Sequence, residues 1–312
     1  MLRRIAGDLF WTARYLERAQ WRARLVDVNY RLLLEGPPRE ADPWEPLVRI
    51  MGEMEPFGAK YSKADETSVI AFFTFDRDSP SSIRKCIEWA RADLGPLRHL
   101  ISSELWLELN RLYLDSLSWS AQSLAARGMN SFFTELRDRF YTLIGIISST
   151  LPRDELYDFM QIGTMIERID NLARLLDVKY HYLLPRVEDV GGAIDLRQWT
   201  ALLRSASALE AFRRNYGNAM QIDRVVEILL FDRTFPRSVR FSSDRIRESL
   251  ARIADDGESE EVTRAADALG TDLRDASASE VISGGLHDFM LGLQDHSAAI
   301  AQAVFDRFMA LG

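Results

Sequence analysis

Cysteine is nearly absent. Cys86 stands alone among 312 residues, so no disulfide can form within the chain and no cysteine cluster can hold a metal. Histidine is almost as scarce. None of His99, His181, His287 and His296 lies three residues after a glutamate, the spacing that di-iron and di-manganese bundles use. The sequence also lacks a glycine-rich phosphate loop, a Gly-x-Ser-x-Gly elbow and a His-Glu-x-x-His run. No stretch approaches eighteen uncharged apolar residues, so no membrane span is expected. The opening residues have neither an uninterrupted apolar core nor a small-residue cleavage site, so no secretory signal is expected. These absences lead to a cytoplasmic protein with no metal and no cofactor of its own. Positive charge is short too. The formal net charge is −8, which argues against a general nucleic-acid binder. Lysine occurs only at Lys60, Lys63, Lys85 and Lys179, leaving 35 of the 39 basic residues as arginine. GC-rich coding explains such a bias. So does a fold that relies on bidentate arginine–carboxylate pairs. Both readings stay open.

What is present is helical periodicity. Apolar residues make up 47% of the chain, enough for a sizeable core. Strong helix formers fill segments at 5–34, 43–54, 66–75, 81–102, 103–126 and 130–151, then at 153–184, 196–216, 221–230, 238–254, 260–269 and 277–311. The clearest breaks are Gly36-Pro37-Pro38, Gly191-Gly192 and Asp255-Asp256-Gly257. Pro96 should kink or split its segment, and Gly284-Gly285 the last one. The β-branched and aromatic run from Ser68 to Phe75 is the one place where a strand competes. The expected fold is all-α, a multi-helix bundle.

The chain also repeats itself. Displaced by 150 positions, Asp8 to Leu34 lies over Asp158 to Leu184 with eleven identities in 27 positions, against about two expected from average usage. Glu17-Arg18, Arg24 and Asp27 recur as Glu167-Arg168, Arg174 and Asp177. A second echo follows in the same order: Phe75-Asp76-Arg77-x-x-Pro80-x-Ser82-Ile83-Arg84 against Phe231-Asp232-Arg233-x-x-Pro236-x-Ser238-Val239-Arg240. Two collinear copies mean an internal duplication, 1–151 and 152–312, with pseudo-twofold-related halves around two central helices.

The first central helix is apolar nearly all round, which marks it as buried, yet it carries Arg14, Glu17, Arg18, Arg24 and Asp27. Charges in such a place must be paired. They either fix register between the halves or line a polar cleft for an anionic or amino-acid-like ligand, with Arg14, Arg18 and Arg168 as holders. The residues shared by both halves favour the structural role. The unmatched ones favour function: Trp11 meets Gln161, Arg14 meets Thr164 and Tyr15 meets Met165. Ser81 or Ser82, and Ser238, fall where helices begin and suit N-caps, and Arg77 or Arg233 beside such a terminus suits an anion. Arg91 and Arg98, seven apart, share a face. Asn110 is a propensity misfit inside a helix, which points to a specific hydrogen bond. Cys86 reads as core. Glu17 and Glu167 are poor acids, each held ionised by the arginine that follows.

These residues together resemble the bacterial alpha-E family over essentially the whole chain. The carriers are Trp11-x-x-Arg14-Tyr15-Leu16-Glu17-Arg18, Pro80-Ser81-Ser82-Ile83 with Ala90-Arg91, and Trp106-x-x-x-Asn110. In the second half they are Ile166-Glu167-Arg168-x-Asp170-Asn171-x-Ala173-Arg174 and the run to His181, with Phe235-Pro236-Arg237-Ser238-Val239. The chain departs from the usual pattern at Ala13, Gln20, Ala92-Asp93 and Thr164, where that family has Gly, Glu, Glu-Asn and Arg. Members of the family are typically encoded beside ATP-grasp ligase-like proteins and transglutaminase-like proteases, which implies a role in making or trimming peptide or amide bonds. On that resemblance the leading expectation is an accessory protein that binds an ATP-grasp partner, or its peptide-like substrate, with ATP entering only through the partner. The expected binding residues are Trp11, Arg14, Tyr15, Glu17, Arg18, Arg77, Ser82, Arg91, Asn110, Glu167, Arg168 and Arg174. An acyl- or aminoacyl-transfer enzyme using Glu17, Tyr15 and Arg18 is the alternative, and a structural homo-oligomeric scaffold the third.

Overall fold

A computed structural model describes residues 3–35, 43–182, 192–253 and 260–310. Three of the expected breaks, Gly36-Pro37-Pro38, Gly191 and Asp255-Asp256-Gly257, lie outside these residues. Among the described residues there is no strand. The helices are α1 (Arg3–Leu34), α2 (Glu45–Ile50), α3 (Met54–Gly58), α4 (Glu66–Thr74), α5 (Ile83–Leu94), α6 (Ser103–Ser116), α7 (Ala121–Arg127) and α8 (Met129–Thr150). They continue as α9 (Glu155–Tyr182), α10 (Ala193–Ser205), α11 (Leu209–Tyr216), α12 (Ile222–Val226), α13 (Val239–Ile253), α14 (Glu260–Asp275) and α15 (Ala278–Phe308), with a π-helical turn at Glu227–Phe231. The chain divides into two compact units, Met1–Thr164 and Met165–Gly312.

In the first unit α1 packs between α5 and α8. Every residue from Ala19 to Asp27 is buried, as its all-round apolar surface requires. The start of α9 reaches α1 at a point where only glycine fits: a Cβ on Gly163 would stand 2.4 Å from the Phe10 carbonyl oxygen. The run from Ser68 to Phe75 is not a strand. Asp65 caps it with its side chain on the Ser68 N–H, and the helix buries Phe72 and Phe73, with Phe72 edge-on to both Phe57 and Phe73. The segment from Ser81 ends sooner than its periodicity suggests, at Leu94, with Gly95-Pro96 in the turn that follows. The second unit packs α13, α14 and α15 in sequence, and α15 breaks at Gly285, whose φ of 118° no side chain favours.

The two units repeat one another in local geometry. Ser82 Oγ donates to the Asp76 carbonyl and accepts from Lys85 N–H, while Ser238 Oγ donates to the Asp232 carbonyl and accepts from Phe241 N–H. Arg91 Nε reaches Asn110 Oδ1 at 2.7 Å, and Arg247 Nε reaches Asp267 Oδ1 at 2.7 Å. Asp27 faces Arg137 on α8 at 4.0 Å, and Asp177 faces His287 on α15 at 2.6 Å. A further echo, hidden in the sequence, aligns Trp44, Arg49, Glu55, Phe57 and Tyr61 with Trp199, Arg204, Glu210, Phe212 and Tyr216. At its centre Gly52 (φ 69°) and Ser207 (φ 54°) end corresponding helices in the left-handed region.

Candidate functional site

Trp11, Arg14 and Tyr15, unmatched in the repeat, gather on one seam of α1 with α5, beside the shared Asp8 and Arg18. Asp8, Trp11, Tyr15 and Arg18 follow a three-four-three spacing and so share a face. Lys85, Trp89 and Asp93 do the same at intervals of four. The rings of Trp11 and Tyr15 stack with centroids 5.7 Å apart, and Tyr15 meets Trp89 at 5.1 Å. Arg14 lies 5.0 Å above Trp11, and the Lys85 ammonium 5.6 Å from Trp89. All these side chains are half-buried. Three aromatic faces flanked by cations make a surface that is apolar in the middle and polar at its rim, the arrangement of a binding site. One end of the seam is acidic. Burial pushes the Asp93 carboxyl up to about 7, and the charge of Asp8 adds to the rise. Burial, then Asp93, also raise the Tyr15 phenol.

Deeper along the seam lies a polar cluster. Arg22 is buried, donates to Glu53 Oε1 at 2.9 Å and to the Ser81 carbonyl, and lies 5.5 Å above Phe73. Ser81 Oγ donates to the same Glu53 oxygen, and Cys86 Sγ is 3.8 Å from the Ser81 carbonyl. Burial lowers the Arg22 pKa, with Cys86 and Glu53 opposing it. The second unit has none of this. Its corresponding residues are Leu172 for Arg22, Ala208 for Glu53 and Arg237 for Ser81, and Met165 and Arg245 stand for Tyr15 and Trp89; in the sequence repeat Trp11 meets Gln161, at the start of α9. A buried ion pair is a costly way to fill space that apolar residues fill equally well. One unit builds this corner from Leu and Ala, so the fold does not demand the pair.

The other expected residues lie elsewhere. Ser82 is fully buried and caps α5, a structural task. Arg91 and Asn110 meet between α5 and α6, with Arg91 over Trp106 and Tyr113. Arg77 is exposed in the turn before α5. Glu17 and Glu167 are buried, at 4% and 1% exposure, and both are engaged. In the second unit Arg168 donates to the Pro236 carbonyl at 3.2 Å and Arg174 to Asp170 at 2.9 Å. Of the expected set, then, Trp11, Arg14, Tyr15 and Arg18 share the α1–α5 seam. Sequence reasoning missed Arg22, Glu53, Trp89 and Asp93. The spacing of Trp89 and Asp93 was visible, whereas Glu53 is local to nothing it touches.

The second unit has an open cleft of about 420 Å³ beside Arg214, Asp232 and Pro236. At the corresponding place in the first unit, Lys60 bridges Asp76 at 2.7 Å and Asp78 at 3.1 Å. Among the described residues no three His, Cys, Asp or Glu side chains converge as a metal site requires. No described helix is long and apolar enough to cross a membrane.

No solved structure matches the chain. It is similar to an uncharacterized protein of Mycobacterium bovis and to uncharacterized proteins of two strains of Mycobacterium tuberculosis. Each is 26% identical over 296 residues, covering 89% of this chain. The match spans 33% of each relative's length, so those proteins extend well beyond it. Residues 1–309 match the model of a family described as "a predicted alpha-helical domain with a conserved ER motif", and this chain, with Glu-Arg on α1 and again on α9, belongs to that Alpha-E family.

Proposed function

We propose that this chain is an accessory binding protein of an ATP-grasp-linked pathway that makes peptide or amide bonds. It takes a partner ligase, or that ligase's peptide-like substrate, on the α1–α5 seam. Any ATP belongs to the partner, the setting is the cytoplasm, and a transglutaminase-like protease is a second candidate partner. The observation that carries this reading is the asymmetry between the units. Residues that both units share cap helices and hold them together, whereas Trp11, Tyr15, Trp89, Arg14 and Asp93 form a half-buried aromatic and charged surface with no counterpart in the second unit. The pathway rests on the family resemblance alone.

An acyl-transfer enzyme using Glu17, Tyr15 and Arg18 is the competing reading. It needs an activated nucleophile. The Tyr15 phenol is instead pushed up by burial and by Asp93, and Glu17 is buried. The test incubates the purified chain with the ATP-grasp-like protein of the same genome, ATP and amino acids. Trp11→Ala and Arg14→Ala should abolish capture of that protein, while Tyr15→Phe leaves product formation intact. Loss of product with Tyr15→Phe, capture being unchanged, would establish the enzyme instead. Capture insensitive to Trp11 and Arg14 would remove the seam from consideration.

A further inference from the structure

One corner is filled in the first unit and open in the second. In the first, the Lys60 ammonium lies 2.7 Å from Asp76 and 3.1 Å from Asp78. Its hydrogen bond to Asp76 raises the Lys60 pKa and holds the ammonium charged. In the second, Asp232 stands for Asp76, Thr234 for Asp78 and Asn215 for Lys60. The ammonium is gone. An open cleft of about 420 Å³ lies there, walled by Ser207, Arg214, Asn215, Asp232, Thr234 and Phe235.

The carboxylate is held in place without its cation. Asp232 Oδ1 accepts from the Thr234 N–H at 2.7 Å, the Thr234 hydroxyl at 2.8 Å and the Phe235 N–H at 3.0 Å, while Oδ2 takes no described hydrogen bond. Burial pushes this carboxyl up, but those bonds and the Arg214 charge outweigh it and hold it below the usual range. Arg214 does not replace Lys60. It stands where the first unit has Ala59, is exposed, and forms no ion pair or hydrogen bond among the described residues. The cleft therefore carries one cation and one fixed carboxylate that do not pair with each other. On its wall Ser207 keeps a φ of 54°, where the first unit has Gly52. Side chains kept in strained backbone cluster at ligand sites.

We infer that this cleft of the second unit binds a free α-amino acid, with its ammonium on Asp232, where the first unit puts Lys60, and its carboxylate on Arg214. The chain's own Lys60 shows that this corner of the fold accepts an ammonium. A planar guanidinium suits a carboxylate in bidentate geometry. The opposite charges of an α-amino acid hang from one carbon, so it can bridge two protein charges that share a cleft without pairing. A simple amine or a simple anion would satisfy only half of the site. Ala211, Phe235 and Pro236 leave an apolar wall for the ligand's side chain, the usual make-up of a small-molecule site. The site belongs to the second unit alone and stands whether or not the α1–α5 seam binds a ligase.

Isothermal titration calorimetry of the intact chain with each proteinogenic amino acid tests this assignment. At least one should bind with a Kd below about 1 mM. Its N-acetyl derivative lacks the ammonium and its decarboxylated amine lacks the carboxylate, so each should bind at least about tenfold more weakly. Asn215→Lys returns the first unit's ammonium to the cleft and should abolish binding. Arg214→Gln should weaken it by about tenfold or more. Both positions are exposed, so the variants should fold, with circular dichroism matching wild type. Arg213→Gln removes the same charge from an exposed neighbour outside the cleft and should leave affinity unchanged. Failure of every amino acid to bind, equal binding of either derivative, or binding that survives Asn215→Lys or Arg214→Gln would overturn the inference. So would an equal loss with Arg213→Gln.

Discussion

Asp93 is a carboxylate in the wrong surroundings for its charge. With its pKa at about 7 against 3.8 for the free side chain, the folded chain binds the proton more tightly than the unfolded chain does. The resulting stability is full below about pH 4 and is lost as pH rises through 7. Its part exposure screens the effect, leaving about 1–2 kcal/mol. Denaturant midpoints at about pH 5 and about pH 8 should show the wild type losing that much, while Asp93→Asn stays nearly flat. Equal slopes for the two proteins would refute the assigned burial. The Arg22–Glu53 pair yields a second prediction. Glu53→Ala alone should cost about 3–5 kcal/mol, because Arg22 is left buried and unpaired. Arg22→Leu with Glu53→Ala, which copies the second unit, should recover most of that loss. A double variant no better than the single would mean that the two corners are not built alike.

At the scale of elements, periodicity and caps were readable because they depend on near neighbours. Ser82, Ser238 and the break at Gly285 stand where the sequence places them. The run at Ser68–Phe75 was ambiguous because β-branched and aromatic residues suit a buried helix as well as a strand. The Asp65 cap and the partners of Phe72 decide it, and those partners are distant in sequence. Two helix positions can be tested directly. Gly163→Ala drives a Cβ against the backbone of α1 and should cost about 1–3 kcal/mol, whereas Gly145→Ala on α8 meets nothing within 4 Å and should stabilise by about 0.4–1 kcal/mol. Ser207→Gly, which restores what the first unit has at Gly52, should also stabilise, by about 1 kcal/mol. Thermal melts of the three order them. A Gly163→Ala melt equal to wild type would contradict the close approach of α9 to α1.

For the whole molecule, the internal repeat sets apart the residues that one copy alone carries. Identities at Asp8–Leu34 and Phe75–Arg84 were visible as sequence. The correspondence of Arg91–Asn110 with Arg247–Asp267 was not, because it joins residues on different helices and the offset drifts between them. What the fold needs twice recurs in both copies, and what does not recur is carried by one copy alone. Trp11, Arg14, Tyr15, Trp89, Arg22 and Glu53 are carried once and make up the proposed site, whereas Ser82 with Ser238, and Asp27 with Asp177, occur in both copies. The most direct test measures melting temperature and capture of the proposed partner, the ATP-grasp-like protein, on the same set of variants. Trp11→Ala and Arg14→Ala should lose capture with little change in melting, while Ser82→Ala and Ser238→Ala should each lose about 1–2 kcal/mol of stability and still capture when folded. Capture lost with the shared serines but kept without Trp11 and Arg14 would contradict the account.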